Sequence, residues 1–262
     1  INQENLLKHE IQRLTQALAL EKQNTLNVSA QPQQQTAVQL KQKVTTNEVE
    51  SNKSSQQLIA LNIQFYDPKE FLNSVNQSVS VPFFKLCQLF LDKSIDLCVK
   101  HYQLDPTVIQ VNQIFNAEGA TLSTMGEQEN ALECLMMIGA VFQLLSDVLY
   151  KRYREDKRFA LQTRGAVASA VEAMQLDAIE SAKRLTQHLS AKEAALHLNH
   201  DQLKLIQNCY DLVAMPNPSN IMTRHAFMIH GMNEDCAKLA QNLRTEILMG
   251  KKAKVATDTS TL

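Results

Sequence analysis

The chain has 262 residues, 44% of them hydrophobic and 20% charged, with a formal net charge of −1 and a pI near 6.7. This length carries one sizeable core, or one core with a small appended unit. The near-neutral balance excludes a global field that would recruit nucleic acid or an anionic membrane surface. Glycine and proline stand at six each, Trp is absent, and Ala, Leu, Gln (26 residues), Glu and Lys are frequent, which is a helix-forming composition.

The first element is a predicted amphipathic helix over Leu6–Glu21. Leu7, Ile11, Leu14 and Leu18 step by four, three and four and share one face. A lone helix of this length is marginal in water and calls for a partner. Residues 23–57, with QPQQQ and TTNEVESNKSSQQ, contain few large apolar groups and read as a Gln-rich flexible tether. The chain therefore divides into an N-terminal helix (1–22), the tether (23–57), a folded body (58–250) and a frayed tail (251–262).

The body opens with LIALNIQF, in which Ile59, Leu61, Ile63 and Phe65 alternate as in a strand. One strand cannot satisfy its own edges, and no second strand signal lies nearby, so a helix or an extended lead-in is preferred. Asp67-Pro68-Lys69-Glu70 is a helix-start signal, Pro82 opens the next helix, and Asp105-Pro106 opens another over Thr107–Phe115. Asn116–Met125 reads as a loop. Thr124 and Glu127 form a capping box for a central helix, Met125–Tyr150, which is apolar nearly all round. Its most apolar run, Cys134–Leu145, falls short of the roughly 20 residues that span a bilayer, so a buried helix is expected and no transmembrane insertion.

Lys151–Arg158 (KRYREDKR) is a wet, mostly basic run. A third long helix is predicted over Thr163–Leu189, with Glu180 and Arg184 spaced to pair. Ser190 and Glu193 suggest a further box for a helix over Ala191–Ala214. Short and longer helices follow at Asn220–His230 and Asn233–Met249, the last closed by Gly250. The expected fold is all-α: an irregular multi-helix bundle of about seven to nine helices, with the N-terminal amphipathic helix tethered to it.

His197, His200 and Asp201 are the strongest candidate for chemistry. On a helix over Ala191–Ala214 they share a wet arc with Lys204, whose ammonium opposes a cation, while Cys209 points away. A solvated face is the reading, not a metal site. The chain contains no HExxH, no GxSxG and no glycine-rich phosphate loop. Cys87, Cys98, Cys134, Cys209 and Cys236 are widely spaced with no CxxC pair, which argues for a reducing, cytoplasmic compartment without a disulfide framework. Export by a non-classical or bacterial secretion route is the alternative.

Lys151, Arg152, Arg154, Lys157, Arg158 and Arg164 could meet phosphates, but Glu155 and Asp156 dilute them and no nucleic-acid partner is expected. The sequence thus predicts no catalytic residue, no cofactor and no metal. The expected function is a non-enzymatic protein–protein interaction module, an adaptor or structural subunit of a larger assembly of the bacterial secretion-related kind. Its partner is another protein, met through Leu7, Ile11, Leu14 and Leu18 and through Arg152, Arg154 and Arg158. A secreted bacterial effector or an enzyme with an unrecognised active site is one alternative, and a helical homo-oligomer another. In its Gln- and Asn-rich helical character the chain resembles accessory or effector proteins of intracellular bacteria, a likeness of composition alone.

Overall fold

The computed structural model describes residues 57–126, 128 and 130–250. The segment LIALNIQFY forms strand β1 (Leu58–Tyr66). Its alternating Ile59, Leu61, Ile63 and Phe65 are buried in the main core, while Ala60 and Asn62 are buried on the opposite face. It is followed by α1 (Phe71–Ser74), α2 (Gln77–His101), β2 (Gln110–Asn116), β3 (Gly119–Met125), α3 (Ala131–Glu155) and β4 (Gln162–Ser169). β1 pairs antiparallel with β3 on one edge and with β4 on the other, and β3 pairs antiparallel with β2. A βαββαβ chain with strand order β2-β3-β1-β4 is the ferredoxin-like arrangement.

The second half adds α4 (Ala178–Gln187), β5 (Ala194–His197), α5 (His200–Ile206), β6 (Tyr210–Ala214), α6 (Ile221–Arg224), β7 (Phe227–Met232) and α7 (Glu234–Met249). β5 runs parallel to β4, which requires the crossover that α4 supplies. β7 then pairs antiparallel with β5 and β6, completing a seven-stranded sheet in the order β2-β3-β1-β4-β5-β7-β6. Helices α2, α3 and α7 pack on one another on one side, and α4 lies across β1 and β4 on the other, through Ala60, Ala168, Ala178 and Ala182.

This is a mixed α/β fold, and the all-α expectation is corrected. Thr107–Phe115 holds a short 3-10 turn and then β2, and the expected loop Asn116–Met125 holds β3. The expected helix Thr163–Leu189 splits into β4 and α4, and Ala191–Ala214 splits into β5, α5 and β6. The physical reason is pairing: β1 has two neighbours, so its period-two pattern is satisfied on both edges. Residues 1–56 and 251–262, including Leu7, Ile11, Leu14 and Leu18, lie outside the described residues, as does Glu127 of the expected capping box.

Helix α3 is central. Leu132, Leu135, Met137, Ile138, Phe142, Leu145 and Leu149 are fully buried. Its 25 residues match a membrane span in length and composition, but here that apolar surface is spent on the sheet, α2 and α7. Cys209 and Cys236 are joined by a disulfide with Cα atoms 5.9 Å apart, tying the start of β6 to the first turn of α7 and correcting the expectation of no disulfide.

The β2–β3 turn is held against β1 by Gly119, whose φ is +95° and whose added Cβ would stand 2.0 Å from the Ile63 carbonyl oxygen. Only glycine fits both the torsion and the approach. Gly119→Ala is expected to cost about 2–3 kcal/mol of stability, read as a lower urea midpoint at unchanged slope.

Cys87, Cys98 and Cys134 are free and buried. Burial pushes all three thiols up, Cys134 to about 12 from an ordinary 9.0. Below pH 9 the thiols are protonated in the folded and unfolded chains alike. Above it the unfolded chain ionises while the folded chain does not, so stability falls as pH rises from 9 toward 12. Urea midpoints should decline over that window, and replacing Cys134 by Ala should shallow the decline.

Candidate functional site

Toward its carboxyl end β1 emerges from under α4, and its Gln64 and Tyr66 pass from buried to half-buried. An open cleft of about 730 Å³ forms there, lined by Gln64, Tyr66 and Asp67 of the β1 end, Arg164 of β4, Glu180, Lys183 and Gln187 of α4, and Glu118 of the β2–β3 turn. Arg164 stands opposite Gln64 in the β1–β4 register. Glu180, Lys183 and Gln187 are three and four apart, on one face of α4.

Two cations, Arg164 and Lys183, line the cleft beside four carboxylates, Asp67, Glu70, Glu118 and Glu180. Arg164 is half-buried; its Nη1 donates to the Leu189 carbonyl at 2.6 Å and its Nη2 to Gln64 Oε1 at 3.4 Å. Its Nε is buried without a partner, and its guanidinium lies 5.6 Å from the Tyr66 ring centre. Burial pulls its pKa below the usual arginine value, because desolvation disfavours the charged form. Lys183 donates from Nζ to Gln113 Oε1 at 3.0 Å, and Gln113 is in turn anchored to the Gly119 carbonyl at 3.1 Å. Among the described residues neither cation is ion-paired with a carboxylate.

Two of the four carboxylates of the cleft are committed elsewhere. Asp67 accepts from the Phe71 and Leu72 amides at 2.9 and 2.8 Å, capping α1. Glu180 pairs with Arg184 at 2.8 Å, the pairing their spacing predicts. Among the described residues no three His, Cys, Asp or Glu side chains come together as metal ligands.

Of the arginines expected to meet a partner, Arg152 is tied to Asp156 at 3.2 Å and Glu155 at 3.5 Å. Arg154 and Arg158 come together on a second open cleft of about 720 Å³, across the Tyr66–Pro68 segment from the first, with Phe71, Tyr150 and Phe159. Arg158 stacks over Tyr153 at 4.1 Å. His197 ends β5 and His200 opens α5, so the single wet arc expected for them does not exist. His197 Nδ1 is buried without a partner, and burial lowers its pKa. Asp201 pairs with Lys204 at 3.0 Å.

No protein-family model and no curated protein matches the sequence. Solved structures match its chain path. The guanylyl cyclase Cya2 is 11% identical with a TM-score of 0.46, covering 68% of this chain and 93% of its own. The guanylate cyclase domain of RhGC from Catenaria anguillulae, solved with GTP, is 9% identical with a TM-score of 0.45, covering 68% and 98%. A dimeric guanylyl cyclase domain of the RhoGC fusion protein from the aquatic fungus Blastocladiella emersonii is 8% identical with a TM-score of 0.44, covering 68% and 98%. These are likenesses of fold, at identities near one residue in ten.

The expectation of a non-enzymatic helical adaptor is corrected. It rested on an interior bundle with all polar groups scattered outside, whereas a seven-stranded sheet brings charged groups from four segments to one cleft. Sequence reasoning weighed Arg164 only with the basic run before it and passed over Lys183 and Gln64. The signal for Arg164 was the alternation in QTRGAVAS; Lys183 carried none of its own.

Proposed function

We propose that this chain is an enzyme whose substrate carries a phosphate or polyphosphate group, of the nucleotide class, bound in the cleft between β1, β4 and α4. The observation that supports this reading is the pair Arg164 and Lys183, two cations on one cleft held by neutral oxygens of Leu189, Gln64 and Gln113. A carboxylate partner would neutralise them; a carbonyl or amide oxygen orients them and leaves their charge available. A polyphosphate supplies the anionic oxygens they lack, each charge-assisted hydrogen bond contributing about 1.5–3 kcal/mol. The cleft, at about 730 Å³, is of small-molecule size, and Tyr66 adds an aromatic face for a base.

Cyclisation of a nucleoside triphosphate, the activity that names the solved chains above, is the reaction to assay first. Association with a second protein chain is compatible with this reading, and contact through Leu7, Ile11, Leu14 and Leu18 is its finer form. The test is calorimetric titration of the full chain with ATP and GTP in magnesium buffer, with chromatography of the products. Saturable binding is expected, weakened roughly 10-fold or more by Lys183→Gln and by Arg164→Gln at unchanged circular dichroism. Absence of saturation by either nucleotide up to about 1 mM overturns the assignment.

A further inference from the structure

The opposite face of the sheet carries a separate groove of about 230 Å³, between α3 and strands β4, β5, β6 and β7. Its buried end is formed by Leu61, Met136, Phe142 and Tyr210, and its wall by Gly139, Ala140 and Leu144 of α3, with Ile229 and Met232 of β7 facing them. The Tyr210 residue is 5% exposed, and its hydroxyl has no hydrogen-bond partner.

The groove is open because of glycines that the backbone does not demand. Gly139 has ordinary helical torsion, and a Cβ there would meet only the Leu61 methyls, at 3.4 and 3.6 Å. Gly165 of β4 lies against the same Leu61 side chain, where a Cβ would also make ordinary contacts. A mid-helix glycine is unfavourable relative to alanine, so what Gly139 supplies is space. Among the described residues, Lys192 at the mouth is neutralised by Asp147, its Nζ lying 3.3 Å from Oδ2. The guanidinium of Arg164 is committed to Leu189 and Gln64 on the other face.

We infer that this groove binds an uncharged aromatic small molecule of about one fused bicyclic ring. A dry cavity of about 150 Å³ takes benzene, so 230 Å³ accommodates a second ring. Tyr210 and Phe142 offer ring contacts, and Met136 and Met232 offer thioethers that pack favourably on aromatic edges. A formal charge would have to be desolvated without an unpaired counter-charge to receive it.

The probe is indole, with indole-3-acetate as its anionic counterpart, titrated into the full 15N-labelled chain. Indole should shift the Gly139, Gly165 and Gly231 amides saturably, and indole-3-acetate should bind at least about 10-fold more weakly. Gly139→Leu fills the groove and should abolish the shifts; Ala140→Leu serves if that variant does not fold. Three results overturn the inference: no shift with indole, shifts that persist in a folded filled variant, or equal binding of the anion. None of them bears on the cleft of Arg164 and Lys183, which is read by nucleotide titration.

Discussion

A strand with hydrogen-bonded neighbours on both edges and packed layers on both faces has no side left for water, and β1 is in that position. Its inward set, Ile59, Leu61, Ile63 and Phe65, joins α2 and α3 in the main core. On its other face Ala60 lies under the alanines of α4. Asn62, next on that face, must find partners inside, and its Nδ2 donates to the Ala120 carbonyl at 3.1 Å and to Thr121 Oγ1 at 2.9 Å. Its Oδ1 has none, a penalty of about 1–3 kcal/mol carried in the middle of the sheet. Gln64 and Tyr66 follow where the cover ends. The cleft is thus set by where α4 stops, and the order along one face of β1 runs from dry to wet over the seven residues from Ala60 to Tyr66.

The abundance of glutamine acquires a physical role in this setting. A cation beside a carboxylate is fixed and neutralised together, whereas one beside an amide oxygen is fixed and stays charged. Gln64 and Gln113 each hold a cation of the cleft in the second way, and Gln113 is itself held by the β2–β3 turn that Gly119 keeps against β1. What matters for anion binding is not the total charge but which cations lack a carboxylate within reach.

Period and length decided what could be read from the sequence. Helices α3 and α7 carry sustained apolar periodicity, and Asn233 and Gly250 mark the ends of α7 as their residue types suggest. The strands failed for different reasons. β1 displays its alternation, yet its neighbours hide theirs: β3 (GATLSTM) is almost entirely buried with small and hydroxyl side chains, so it resembles a loop, and β4 (QTRGAVAS) is rich in alanine, so it resembles a helix. β5 has four residues, too few for any pattern. Once β3 and β4 are lost, β1 has no partner, and an all-helical reading follows. The cleft was lost with them, because Arg164 and Lys183 meet only through the β4–α4 crossover.

Pleating places the two cavities on alternate residues of the same strands. Leu61 and Ile63 line the groove while Asn62 and Gln64 face the side of the cleft; Gly165 lines the groove while the guanidinium of Arg164 enters the cleft. Neither cavity depends on a long loop for its floor, so both inherit the rigidity of a doubly paired strand. The same geometry limits how β1 can accommodate change. A residue-long shift in register would exchange the two faces outright, putting Leu61 under α4 and Asn62 into the apolar core. The antiparallel pairing of β1 with both β3 and β4, together with the close approach of Gly119 to Ile63, resists that slip on both edges at once. The constraint that keeps the core dry therefore also keeps the cations of the cleft apart from the apolar groove one residue away.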